Sequence, residues 1–593
     1  MTAAARFSFV QITDLHLGFR EVASPEPLVE DLRQIERETG ERAAFIVATG
    51  DLTDHGAEAE CRMYLEAIRA TRLKIHPVVG NHDYIHLVGQ EAKQDAGSYQ
   101  RLISPLNYSF DWQGVHFVSY DYFPPENRKQ VTPWLRNDLS AQPKGTPVIF
   151  LTHDQLPAAF YEQLGEFRIV ATLSGHWHSS RLYHDGRIAH FNGPSLCFGG
   201  IDYSPRAYRL FTWEGERLMC ETIPLRKPTG LLASPARKLS AAPWPVALRG
   251  EVHLAAPVVQ QGRVFLGLMD EQQPGNGAVA SWDSDTGREV WRAPLAASVK
   301  NTLAWHDHKV IAATVTGEVA ALDRDTGARV WSYQLGDASR RWIFSSPVVR
   351  DGRVFVGQGP HFSALDAATG QPLWVRTDLT ENDWISSYVS PASDGERVFV
   401  GFHWKPRSVR ALDAGSGQAL WQQPGEPKSS SPVSPIVLDG CGGLYVVLQR
   451  GLCKLDAATG VILWEFPLGE TWSPAAPCVD HDTIYAASGA GVVFAVDAED
   501  GRKRWESHCS EADDSSAMHP YRRRGRAIVS SPRAHGDSLL VGTNDGRLVR
   551  LDKNTGALQS FVQFHVPLTS SPTIAGGRIF LAARDGNLYS LRA

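Results

Sequence analysis

The chain has 593 residues, of which 43% are hydrophobic and 21% charged, proportions of a folded globular protein and not of a disordered one. A formal charge of −6 provides no overall positive field to gather nucleic acid or anionic lipid, so bulk nucleic-acid binding is not expected. No apolar run reaches the roughly eighteen residues of a membrane span, and at about 150 residues per domain the length calls for more than one core.

Residues 1–6 pass into a strand-like run with no basic region, apolar stretch or cleavage site. No export signal is read there, and a cytoplasmic location is expected. Seven scattered cysteines without a Cys-x-x-Cys pair suit reduced thiols. Apolar runs at 7–12, 44–48, 75–79, 147–151 and 169–173 lack polar alternation, which predicts strands covered on both faces. Between them Leu28, Leu32 and Ile35 share one helical face, as do Met63, Ala67 and Ala70 within 57–70. This alternation predicts an N-terminal α/β domain over residues 1–226. Residues 227–241, rich in Lys, Pro, Ala and Ser, read as a linker, and 242–593 as a second domain.

Each predicted strand is followed by residues able to do chemistry. In order these are Asp14-Leu15-His16, Gly50-Asp51-Leu52-Thr53-Asp54, Gly80-Asn81-His82-Asp83, His153, and Gly175-His176-Trp177-His178. All five groups are expected to emerge at one edge of a sheet, where residues distant in sequence converge. Asp-x-His and His-x-His at a strand-to-loop transition aim alternate side chains at a common point. Carboxylate, imidazole and amide oxygens together suit divalent ions such as Mn, Fe, Zn, Co or Ni. A lone Gly-Asp is more often a turn, and a lone His after a strand is more often a surface or core residue. Five such groups in order are a different matter.

In that order the groups resemble the calcineurin-like metallophosphoesterases over about residues 7–225. The resemblance implies that Asp14, His16 and His178 hold one metal and Asn81, His153 and His176 a second, with Asp51 bridging them. It also implies a bridging water of lowered pKa, available as hydroxide to attack phosphorus in line. His82 would face the substrate, stabilising the transition state or protonating the leaving oxygen, with Asp83 orienting it. Asp54 is expected to hold the loop after Asp51, and His55 is given no role. Purple acid phosphatases have Tyr at the position of Asp54, and protein serine/threonine phosphatases have Arg where this chain has His55 and Val79. The layout is most similar to the cyclic-nucleotide phosphodiesterase branch. The expected substrate is a phosphodiester or phosphomonoester of a small molecule or nucleotide.

After the linker the sequence repeats. Asp-x3-Gly occurs at Asp283/Gly287, Asp323/Gly327, Asp366/Gly370, Asp413/Gly417, Asp456/Gly460, Asp497/Gly501 and Asp552/Gly556. Four residues past each glycine stands Trp (291, 331, 374, 421, 464, 505), replaced by Ser560 in the seventh copy. Each copy reads as a tight turn capped by Asp, followed by a strand whose Trp packs against a neighbouring unit. A second strand type recurs eight times, centred on residues 264, 310, 354, 398, 444, 484, 539 and 579. With the segment at Trp244 supplying the missing strand, this predicts an all-β propeller of eight blades, closed by the segment after the linker, with seven as the alternative count.

The repeats resemble propellers related to pyrroloquinoline-quinone (PQQ) dehydrogenases and the bacterial outer-membrane assembly propeller. The adjacent Cys-Cys pair of the quinone enzymes does not occur, so PQQ is not expected. The propeller is expected to serve as a platform for substrate or a protein partner. The alternative is a scaffold whose phosphoesterase domain has little turnover. The run from Arg522 to Arg526, beside acidic residues 511–514, reads either as a grip for a polyanion or as a solvated loop. Arg340-Arg341-Trp342 and His403-Trp404-Lys405 are read as lining one propeller mouth. Trp177 is expected either to stack on substrate or to pack beneath its loop.

Overall fold

The computed structural model describes residues 6–84, 95–225, 244–273, 275–380, 389–402, 408–424, 431–469, 472–510, 523, 526–564 and 566–593. The predicted linker therefore lies outside the described residues. The chain forms two compact units: the described residues of Met1–Lys227, Glu271–Gly275 and Ser515–Arg524 make the first, and the rest make the second.

The first unit contains β1 (Arg6–Ile12), β2 (Ala43–Thr49), β3 (Lys74–Val78), β4 (Tyr108–Trp112), β5 (Val115–Ser119), β6 (Val148–Leu151), β7 (Ile169–Ser174), β8 (Arg181–His184), β9 (Ala189–Asn192), β10 (Ala207–Glu214) and β11 (Leu218–Pro224). They form two sheets, ordered β11-β10-β1-β2-β3 and β4-β5-β6-β7-β9-β8. Within them β1, β2 and β3 are parallel, as are β5, β6, β7 and β9. Alternate residues of both sheets, among them Phe9, Phe45, Phe117, Ile149, Leu173 and Phe211, meet in one core. The opposite faces are covered by helices and loops in two further clusters. Double coverage is why these strands carry no polar alternation. The single sheet edge expected from the sequence is thus two edges, three strands supplying one and β6 and β7 the other. An apolar run tells that both faces are buried and not which sheet it joins.

Helix α1 (Glu26–Thr39) buries Leu28, Leu32 and Ile35 as its spacing predicts. Helix α2 (Glu58–Ala67) buries Cys61, Tyr64 and Ala67, while Met63 is only partly covered and Ala70 falls in the short turn beyond. The inward face is rotated by one residue from the expected one.

The second unit holds eight four-stranded antiparallel sheets. Each second-strand centre read from the sequence falls in the second strand of a blade, from Arg263–Leu268 to Arg578–Ala583. In blade eight the fourth strand is Val246–Ala247, which pairs antiparallel with residues 587 and 588. Trp244 stands just ahead of that strand and is buried with its ring 5.7 Å from Phe580. Around this seam the hydroxyls of Thr569, Ser570 and Thr573 donate to the carbonyls of His253, Ala255 and Pro257, at 2.6, 2.8 and 2.6 Å.

The repeat motif has a direct structural reading. Asp366 accepts from the N–H groups of Ala368 and Thr369 at 3.1 and 2.8 Å and from the Thr369 hydroxyl at 2.7 Å. Gly370 then turns the chain at φ 74°, and a Cβ there would strike the ring of Trp331 from the preceding blade. Trp331 in turn donates its indole N–H to the Ala367 carbonyl at 3.2 Å. The same arrangement joins Trp291, Trp374, Trp421, Trp464 and Trp505 to the turn of the following blade. Blade eight has no Asp-x3-Gly turn to receive a tryptophan, which accounts for Ser560. Among the described residues no helix is long and apolar enough to cross a membrane.

Candidate metal centre

Every chemical group predicted from sequence sits just past the C-terminal end of a parallel strand: residues 14–16 after β1, 51–54 after β2, 81–83 after β3, 153 after β6, and 176–178 after β7. Backbone hydrogen bonds lock the first two loops together, with the N–H groups of Leu15 and His16 donating to the Asp51 carbonyl at 2.8 and 2.9 Å. Asp14, His16, Asp51, His176 and His178 all have positive φ, from 44° to 72°. Such conformations cost roughly 1–3 kcal/mol per non-glycine residue and persist where surrounding structure enforces them, commonly at functional sites. Gly50, at φ 95°, lets His153 approach, since a Cβ would overlap the imidazole.

Among the described residues three donor groups result, one of them His16, Asp54 and His82, and the other two share Asp51. Of those two, one combines Asp14, His16, Asp51 and His178, the other Asp51, His153 and His176, with the donor atoms of each group within 4.8 Å of one another. The His153 Nε2 lies 3.0 Å from Asp51 Oδ2, His16 Nε2 lies 3.6 Å from the same oxygen, and His178 Nε2 lies 3.3 Å from Asp14 Oδ1. The Nε2 atoms of His16 and His178 face each other at 3.0 Å. Two ring nitrogens so placed require an electron-accepting partner, a proton or a cation.

The second ring nitrogens of His153 and His16 are anchored, which fixes their tautomers. His153 Nδ1 donates to the Thr49 carbonyl at 2.7 Å, turning Nε2 toward the carboxylates. His16 Nδ1 meets Asp54 Oδ1 at 3.0 Å. Asn81 stands in a short turn, Asn81–Asp83, where its Oδ1 accepts from the Tyr122 hydroxyl at 3.0 Å. The adjacent His82 N–H donates to Asp51 Oδ1 at 2.9 Å, and His82 Nδ1 donates to the Asp54 carbonyl at 2.7 Å. Asp83 accepts from Gly80 N–H at 2.8 Å and from the N–H and hydroxyl of Thr53, both at 2.9 Å. Its carboxylate closes the turn that carries His82, and the bond to the His82 ring comes from Asp54.

The electrostatics match the chemistry of the donors. Burial would push the Asp14 and Asp51 carboxyls up, but facing imidazoles hold both down, His178 at Asp14 and His153 at Asp51. Burial likewise opposes charge on His153, yet Asp51 holds its imidazole at about 10. Burial, reinforced by the neighbouring His153, sets His176 down at about 4. Two buried carboxylates among buried imidazoles thus demand positive charge at their centre, which divalent ions supply with every histidine neutral. The residues present fit such ions.

Two family models match the chain, one described as calcineurin-like phosphoesterase over residues 7–180 and one described as outer membrane protein assembly factor BamB over 236–340, 275–424, 405–560 and 514–593. The chain belongs to the PQQ-repeat propeller family and carries a calcineurin-like phosphoesterase domain. The outer membrane protein assembly factor BamB of Burkholderia pseudomallei is 26% identical over 331 residues, 54% of this chain and 80% of that protein. The serine/threonine-protein kinase AfsK of Streptomyces coelicolor is 29% identical over 212 residues, which span 27% of this chain and 25% of the kinase. Among solved structures, BamB from Moraxella catarrhalis is 17% identical with a TM-score of 0.44, covering 59% of this chain and all of that one.

Sequence reasoning missed several residues around the phosphoesterase site. Asp54 does more than hold its loop: one carboxylate oxygen meets His16, the other lies 3.3 Å from His55 Nδ1, and its carbonyl fixes His82. A carboxylate three residues past a metal-type aspartate was the available signal. Phe198 packs its ring 5.4 and 5.3 Å from those of His16 and His178, and no local pattern marks it. Trp177 is buried with its indole donating to Asp154 at 2.7 Å, so it packs beneath the loop. Of the arginine run, Arg523 belongs to the first unit and bonds both oxygens of buried Asp31 at 3.0 and 3.1 Å and the Cys197 carbonyl at 3.2 Å. Arg206 shares the same carboxylate. Arg523 is thus committed to an ion triad, and Arg526 is exposed. Residues 511–514, 522, 524 and 403–405 lie outside the described residues. Arg341 and Trp342 are buried.

Proposed function

We propose that the phosphoesterase domain hydrolyses a phosphodiester or phosphomonoester of a small molecule or nucleotide with two divalent cations. Asp14, His16 and His178 hold one, Asn81, His153 and His176 the other, and Asp51 serves both. When bound, the cations supply Lewis acidity, making water acidic enough to ionise near neutral pH and neutralising phosphoryl oxygens. The observation that carries this reading is the pair of donor groups sharing Asp51, buried except for the half-buried His176, with histidine nitrogens converging from both sheets.

The chain's own residues divide the remaining work. Asp51 ties the turn bearing His82 to the donor cluster through the His82 N–H. His82 has a side chain 38% exposed, and with Nδ1 engaged by Asp54 its proton exchange with a leaving oxygen falls to Nε2. Phe198 covers His16 and His178 and keeps water from that side. The propeller acts as the recognition platform for substrate or a protein partner, supported by the family to which its repeats belong. A reducing, cytoplasmic setting accompanies this reading, supported by seven free cysteines, with burial pushing the thiols of Cys61 and Cys197 up to about 12.

The test is hydrolysis of bis-p-nitrophenyl phosphate and p-nitrophenyl phosphate by the full chain saturated in turn with Mn, Fe, Zn, Co and Ni. Metal-dependent turnover of either ester is expected. Inactivity on both with every metal overturns the reading.

A further inference from the structure

Tyr122 stands just past β5, in the second sheet, and reaches the turn after β3 of the first. It is buried, and its hydroxyl donates to Asn81 Oδ1 at 3.0 Å. Its ring lies 6.0 Å from those of both His153 and His176. One side chain therefore adjoins all three residues assigned here to the second cation. Arg128 secures it from behind, with its guanidinium 4.9 Å over the ring and its Nε donating to the Tyr122 carbonyl at 3.2 Å.

An asparagine needs such a partner where a carboxylate does not. Its two terminal atoms have nearly the same shape and opposite hydrogen-bonding character, so a half-turn of the amide replaces a cation ligand by an N–H₂ donor. A hydroxyl that donates to Oδ1 selects one of the two orientations. The oxygen has two lone pairs, and the hydroxyl uses one.

We propose that Tyr122 is a positioning residue that sets the Asn81 amide oxygen-inward and, through its ring, the spacing of His153 and His176. The proposal rests on the two-cation reading above. It assigns Tyr122 no proton transfer and no contact with substrate.

The experiment is calorimetric titration of the metal-free full chain with Mn, in wild type, Tyr122→Phe, Asn81→Asp and the double variant. Phenylalanine keeps the ring and removes only the hydroxyl. In Tyr122→Phe one of the two Mn sites weakens about tenfold while the other is unchanged, as expected for loss of a partner that orients a ligand. Because both oxygens of an aspartate can bind, adding Tyr122→Phe to Asn81→Asp changes neither affinity. Turnover of Tyr122→Phe falls at limiting Mn and recovers at saturating Mn, a split that general damage to the fold does not produce. Wild-type affinities in Tyr122→Phe, equal weakening of both sites, or a full tenfold loss on the Asn81→Asp background would each overturn the proposal. A wild type that binds no Mn would defeat the two-cation reading itself, which keeps the two failures apart.

Discussion

Replacing Asp54 by alanine removes the acceptor for His16 Nδ1 and leaves the His82 bond in place, because that one is made by the backbone carbonyl. The Asp54 and His16 side chains are both buried and their atoms meet at 3.0 Å, so this is no solvent-screened surface pair. A hydrogen bond to a charged group in such a setting contributes about 1.5–3 kcal/mol. If that energy serves to orient His16, its loss lowers the affinity of the first cation by roughly 10- to 150-fold, in line with the tenfold to hundredfold effects of partners behind metal ligands. Titration of the metal-free chain with Mn reads this directly. Activity at saturating Mn should largely return, since His82 keeps its anchor. Asp54→Asn, which retains an uncharged acceptor, should recover roughly half of the lost free energy. Wild-type Mn affinity in Asp54→Ala, or equal losses in the alanine and asparagine variants, would refute the reasoning.

Asn81→Ala or His153→Ala should remove one cation together with activity, whereas His82→Ala should lower kcat with both cations retained; metal analysis beside kinetics checks this, and equal metal loss in all three contradicts it. Trp374→Ala should cost about 3–5 kcal/mol, because a buried indole and its bond to the Ala414 carbonyl are both lost. Its neighbour Leu373, 49% exposed, should tolerate alanine within about 0.5 kcal/mol, and thermal unfolding followed by circular dichroism compares the two. Arg523→Ala leaves Asp31 with Arg206 alone and should lower the melting temperature measurably, while alanine at exposed Arg526 should not. For the same reason a fragment of residues 1–226 should melt below the full chain, since it also lacks Glu271, whose carboxylate meets Ser180 and lies 3.8 Å from buried Arg209.

Most of the fold was legible because its signals are local. Five doubly buried strands announced themselves as apolar runs, and seven Asp-x3-Gly turns with six tryptophans announced the blades. What stayed hidden depends on partners far apart in sequence. Nothing in the run at 115–119 marks Tyr122 as a neighbour of Asn81, forty-one residues earlier and in the other sheet. The inward face of α2 differs by one residue from the expected one, with Cys61 and Tyr64 buried where the spacing predicts Met63, because both faces offer apolar residues at helical spacing. Trp177 looked available to a ligand because it stands between two histidines, yet its indole turns away to Asp154. For the site itself, sequence order proposed which residues converge, and only geometry shows that the ring of His82 hangs from a main-chain carbonyl.

The tryptophan of each of blades one to six fits a turn belonging to the next, so blades two to six each carry a key and the lock for their predecessor. A duplicated repeat therefore brings a complete joint with it, and the ring can lengthen by whole blades without inventing a new contact. The seam beside blade eight is different, being tied by three hydroxyls to main-chain carbonyls that almost any sequence would offer. That is the natural place to open the circle: chain ends placed there keep every tryptophan joint intact, whereas a cut between a tryptophan and the turn that receives it divides a key from its lock.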